Sequence, residues 1–199
     1  VTVSHSHTDH LDPETLQPLV QANNNLDLVV PAAVVDIAMD RSSLPKDRLS
    51  LVNASDTIES NGFQIHAIPS AHEALETDEN GNHYYLGYII QFGPWSVYHS
   101  GDTVEYNEME DTLAQWNLDV MFLPINGRKP ERRVSGNMWG KESAWLAKRL
   151  SARSVIPHHY NMFEFNTENP SEFITEAEQI NQPYHILENG ERWCSNQLK

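Results

Sequence analysis

A chain of 199 residues with 39% hydrophobic content can bury one substantial core and reads as a single domain, 1–199. Thirteen basic against 28 acidic side chains give a formal net charge of -15, a field that repels phosphate backbones and anionic headgroups. Nucleic acid and membrane are therefore not expected partners, whereas divalent cations would offset the charge.

The single Cys194 allows no internal disulfide and suits a reducing compartment. No charged leader with an apolar core opens the sequence, and no run of 18 apolar residues occurs, so a cytoplasmic location is expected.

Elements follow in order. Residues 1–3 look like the end of a strand. Asp12-Pro13 supplies an N-cap and a proline at the first helical position, opening a helix to about residue 23. LDLVVP (26–31) is a short apolar strand, and residues 32–40 continue as a second helix. TIESNGFQIHAIP (57–69) reads as a hairpin turning at Asn61-Gly62, and residues 84–102 as another turning at Gly93-Pro94. VMFLPI (120–125) and SVIPHH (154–159) are apolar strands ending in polar loops, the latter preceded by a helix over 141–150. A helix over 170–180 and a closing strand YHIL (184–187) finish the reading. Hairpins first and strand–helix alternation later describe a mixed, layered α/β domain.

Four strand ends carry polar side chains suited to metals. SHSHTDHLD (4–12) places His5, His7, Asp9 and His10 after the first strand; His72 follows HAIPSA, Asp102 follows VYHSG, and His158 with His159 follows SVIP. Imidazoles with carboxylates and no nearby thiolate suit zinc or manganese, with iron also compatible. At spacing two, His5 and His7 point the same way along an extended loop and can reach one ion. Asp9 and His10 can turn to a second, and a carboxylate such as Asp102 has two oxygens with which to bridge. One such histidine alone is usually an ordinary hydrogen-bonded imidazole. The set is not explained that way.

HSHTDH (5–10) resembles the HxHxDH signature of the metallo-β-lactamase superfamily. The resemblance implies a four-layer αββα sandwich with a two-metal site. PSAH would supply His72, HSGDT the bridging Asp102, and PHHY the last ligand, His159, with His158 facing away. LPINGR (123–128), SGNMWGKESAWLAKRL (135–150) and IPHHYNMFEFNTENP (156–170) are most similar to the branch that resembles ascorbate-6-phosphate lactonases. Superfamily domains carry several strands before the signature loop. Only three strand-like residues, 1–3, come before it here, so a first sheet lacking some N-terminal strands is expected.

Two divalent ions about 3.5 to 4 Å apart would lower the pKa of a bridging water and polarise the bond it attacks. Asp9 would orient the hydroxide and carry its proton; no serine or cysteine nucleophile is needed. A metal-dependent hydrolase acting on a small, anionic lactone or ester is the leading reading. A phosphodiesterase or nuclease on the same scaffold is the alternative, although no basic strip is visible. A binding protein with a vestigial site would have lost ligands, and none is missing. Arg128, with Asn137 in the same loop as Lys129, Arg132 and Arg133, is the expected clamp for the substrate anion. A homo-oligomer is left open. Of the remaining histidines, His66 and His83 are expected on solvated or polar positions, His99 beside the metals, and His185 in a structural role.

Overall fold

The computed structural model describes residues 1–198. Helix α1 (Pro13–Ala22) starts where Asp12 accepts the backbone N–H groups of Glu14 and Thr15. Strand β1 (Leu28–Pro31) leads through a 3₁₀ turn at Ala32–Val34 into α2 (Val35–Ser42), which ends with Ser43 in the left-handed region. Strand β2 (Leu49–Val52), not expected from the sequence, pairs parallel with β1, and Thr2 bridges Val29 on the same sheet.

The larger sheet has six strands in sequential order: β3 (Thr57–Ser60), β4 (Phe63–Pro69), β5 (Leu86–Phe92), β6 (Trp95–His99), β7 (Val120–Pro124) and β8 (Ser154–His158). Pairing is antiparallel through β6 and parallel from β6 to β8. Both expected hairpins form, at the expected turns; Asn61 and Gly62 each take positive φ between β3 and β4. Helix α3 (Met109–Leu113) was not expected, whereas α4 (Gly140–Arg149) and α5 (Ser171–Gln179) were.

Three clusters of buried apolar residues define the layers. Leu28 and Val30 of β1 join Leu11, Leu16 and Ala38 under α1 and α2. Val29, on the opposite face of β1, packs with Val52, Ile65, Ala67, Leu86 and Tyr88 between the two sheets. Met121, Leu123 and Val155 meet Leu146, Ala147, Phe173 and Ala177 beneath α4 and α5. The order is helices, small sheet, large sheet, helices. Strand β1 is buried along its whole length because both of its faces are covered. At Gly140 a Cβ would stand 2.7 Å from the backbone nitrogen of Phe173, so glycine is what lets α5 approach α4 so closely.

One expected strand is absent. In segment 184–187 Tyr184 makes a single bridge to Val155, with His185 N–H donating to the Val155 carbonyl. Beyond that the segment is held by side chains: the Tyr184 ring packs edge-on against Phe173, and the Tyr160 hydroxyl donates to the Leu187 carbonyl. The apolar pattern YHIL is satisfied by packing rather than by a ladder. Among the described residues no helix is long and apolar enough to cross a membrane.

Candidate metal centre

Residues at the ends of β4, β6 and β8 converge on the loop that precedes α1. Within that loop His10 and Leu11 donate backbone N–H groups to the His7 carbonyl, tightening the segment into a turn. Leu11 is fully buried and Asp12 caps α1, so both ends of the turn are anchored. Ser4 Oγ lies 3.0 Å from His5 Nδ1 and 2.9 Å from His10 Nδ1, fixing two rings at once. From α2, Arg41 Nη1 donates to the carbonyls of Ser6 and Leu11 across the same turn.

The other strands deliver one group each. His72 follows β4, and its Nδ1–H donates to the Gly136 carbonyl at 3.0 Å, which leaves the Nε2 lone pair facing the cluster. Asp102 follows β6 through Gly101, whose φ of +61 permits the abrupt turn. A Cβ on Gly101 would meet Ser4 Cβ at 2.7 Å and the Leu86 carbonyl at 2.9 Å. His159 follows β8 with a positive φ of 64, which turns its ring away from the direction taken by His158.

Two groups of donor atoms result, each lying within 4.8 Å of one another: His5, His7 and His72, and Asp9, His10, Asp102 and His159. Asp102 touches both. Its Oδ1 is 3.2 Å from His10 Nε2, and its Oδ2 is 3.1 Å from His159 Nε2 and 3.7 Å from His72 Nε2. Asp9 Oδ2 lies 3.4 Å from both His10 Nε2 and His159 Nε2. This is the partition that the signature implies.

The electrostatics separate the two groups. Burial, followed by the field of His10, pushes His5 down to about 2, and burial also lowers His72. His159 is buried and His10 half-buried, which opposes charge. Hydrogen bonds to Asp102 and Asp9 outweigh that burial and raise them to about 9 and about 10. Burial would raise both aspartates, but their bonds to these imidazoles hold them below the usual carboxylate range. Within the second group the imidazoles and carboxylates thus favour each other's charged forms.

Divalent ions fit this donor set. His5 Nε2 is buried with no hydrogen-bond donor or acceptor of the protein satisfying it, and such an atom is costly unless something binds there. Oxygen and imidazole donors without thiolate match zinc or manganese.

Other expectations fare differently. His158 lies outside both groups. It is half-buried and stacked on His99 with ring centroids 4.8 Å apart, and burial of its ring together with His99 holds it well below its ordinary pKa. His99 accepts the Gly101 N–H and stacks on Phe122 as well. His66 is bonded to Thr57 and Gln91 on the sheet surface, and His83 to Asn53.

Arg128 and Asn137 are not brought to the cavity beside the two groups. Arg128 forms a two-pronged pair with Glu142, 2.7 Å at each contact, and donates to the Asn137 carbonyl. Glu142 in turn accepts the Trp139 N–H at the start of α4, so the arginine braces a helix terminus. Asn137 is fully buried and donates to Asn126 Oδ1. The structure thus does not bring the expected clamp to this cavity: a carboxylate in the same fold engages the guanidinium. Arg132 and Lys129 are likewise paired, with Glu168.

The cavity at the cluster measures about 520 Å³ and is lined by His7, Asp9, His72, Asp102 and His159 together with side chains that sequence reading missed. These include Arg41 from α2, Val134, and Phe163 and Phe165 from the loop after β8. The alternation FEF after PHHY was the available signal for the aromatic wall; nothing in VVDIAMDR marked the arginine.

Layered sheets with this donor cluster at their strand ends define a metallo-β-lactamase fold. The chain belongs to the family described as the beta-lactamase superfamily domain, whose model matches residues 1–160. It is 28% identical over 199 residues to a UPF0173 metal-dependent hydrolase of Methanopyrus kandleri, covering 97% of this chain and 80% of that protein. It is 24% identical over 181 residues to another of Pyrobaculum aerophilum, covering 90% and 73%. Igni18, described as a novel metallo hydrolase of the archaeon Ignicoccus hospitalis, shares the fold with a TM-score of 0.74 at 21% identity, over 96% of this chain and 76% of that one.

Proposed function

We propose that this metal-dependent hydrolase of the metallo-β-lactamase fold holds two divalent ions and cleaves a small ester or lactone. His5, His7 and His72 would hold one ion, Asp9, His10 and His159 the other, with Asp102 shared. Bound there, the ions would activate water and polarise the bond under attack. The observation that carries the reading is the contact of Asp102 with both donor groups.

The remaining work falls to the chain itself. Ser4 and the Gly136 carbonyl orient His5, His10 and His72, so little reorganisation accompanies binding. Asp9 reaches the cavity with one carboxylate oxygen near two imidazoles, a position from which it can accept a proton from attacking water. A cavity of about 520 Å³ suits a small molecule. The test is turnover of matched ester, lactone and phosphodiester panels by protein loaded with zinc or manganese. Hydrolysis of the first two classes is expected, and hydrolysis of phosphodiesters alone would replace this reading with a phosphodiesterase.

A further inference from the structure

Of the eight arginines, Arg128, Arg132, Arg149 and Arg153 are paired with carboxylates, Glu142, Glu168, Glu105 with Glu110, and Asp119. Arg41, like Arg48, Arg133 and Arg192, has no carboxylate within ion-pair distance among the described residues, but of these Arg41 is the one that lines the cavity at the donor cluster. Nη1 is occupied by the carbonyls of Ser6 and Leu11, which fix the plane of the guanidinium, while Nε and Nη2 bond to no described residue. Arg41 lines the cavity that contains His7, Asp9, His72, Asp102 and His159, and no lysine or second arginine is among the described residues lining it.

Another part of the wall is apolar and unusually bare. Phe165 is 62% and Val134 40% exposed, and the rings of Phe163 and Phe165 lie 5.8 Å apart at 32°. Large apolar side chains left open beside a polar cluster mark a surface that something covers.

We propose that Arg41 binds an anionic group of the substrate while Phe163, Phe165 and Val134 hold an apolar group, so that the substrate is an ester or lactone carrying both. This rests on the hydrolase reading above and specifies its substrate class. A guanidinium held on one side by carbonyls offers its free edge to a carboxylate or phosphate at a fixed angle.

The test titrates phenylacetate and its neutral isostere phenylacetamide into the metal-loaded protein by calorimetry. Wild type should bind phenylacetate more tightly. Arg41→Gln should weaken phenylacetate by about tenfold or more, as expected for a hydrogen bond to a charged group, and change phenylacetamide by no more than about twofold. Arg41→Lys, which keeps the charge but loses the brace, should retain part of the preference, and Phe165→Ser should weaken both probes alike. Phenylacetate binding unchanged in Arg41→Gln, or equal loss of both probes in the Gln and Lys variants, overturns the proposal; the arginine would then only brace the loop. Since binding is read without turnover, the two readings fail separately. Absent ester hydrolysis with the Arg41-dependent preference intact removes the reaction and keeps the anion site; intact hydrolysis without that preference removes the anion site alone.

Discussion

His72 Nε2 stands 3.7 Å from Asp102 Oδ2, and this approach joins two groups of donors that would otherwise be separate. His72 belongs to the group formed with His5 and His7; Asp102 belongs to the group formed with Asp9, His10 and His159. A buried carboxylate in that position supplies negative charge to both sides. Asp102→Asn should therefore lower hydrolysis by about two orders of magnitude or more and reduce metal retention, with an unchanged far-ultraviolet dichroism spectrum. Wild-type turnover at full metal content would show that the shared carboxylate is dispensable.

The turn that aims Asp102 should be equally sensitive. At Gly101 a side chain would collide with Ser4 and the Leu86 carbonyl on a backbone of φ +61. Gly101→Ala is expected to destabilise the fold by about 1 to 3 kcal/mol, read as a fall in melting temperature. Because Ser4 orients His5 and His10, metal affinity should fall with it. An unaltered melting temperature would mean that the loop yields at no cost.

Stability of the metal-free protein should peak near neutral pH. His10 and His159 have pKa values raised to about 9 and about 10, so their contribution is complete below the unfolded value of about 6.5 and is lost as pH rises through those values. His5 and His99 are pushed down to about 2 and about 4 by burial, so the unfolded chain takes up protons first as pH falls below about 6.5, and stability falls on that side too. Thermal melts from pH 4 to 10 should give a maximum between about 6 and 7. Metal binding displaces the protons on His10 and His159, so the alkaline decline should flatten in loaded protein and metal uptake should release protons. A decline of equal steepness with and without metal would contradict this.

Arg128→Ala separates a brace from a clamp. The side chains of Arg128 and Glu142 are 41% and 31% exposed, and an ion pair that open to solvent is worth less than about 1 kcal/mol. A small drop in melting temperature is expected, with the ratio of kcat/KM for anionic and neutral esters unchanged. A selective loss for anionic esters would return Arg128 to the substrate.

The residues that gather in the cluster were legible because imidazole and carboxylate side chains stand at strand ends marked by apolar runs and match the HxHxDH pattern. His5, His7, Asp9, His10, His72, Asp102 and His159 were named without knowledge of packing, and the structure brings them together. What lay beyond reading was decided by partners distant in sequence. Arg128 looked free in its loop, yet Glu142, fourteen residues on, engages it. Arg41 was not singled out at all, yet α2 carries it over the ligand turn. Strand β2 was missed because four residues reading LSLV acquire strand character only from pairing with β1. Segment 184–187 was over-read for the converse reason: its apolar residues find side chains, not a ladder.

The proposed dinuclear site is tested most directly by how many metal ions the chain holds and whether hydrolysis needs them. Protein prepared in zinc or manganese, freed of loosely bound metal and analysed by plasma mass spectrometry, should carry two ions per chain. Ester or lactone turnover should vanish on chelation and return in step with reloading. Retention of no divalent ion, or turnover undiminished by complete chelation, would contradict it.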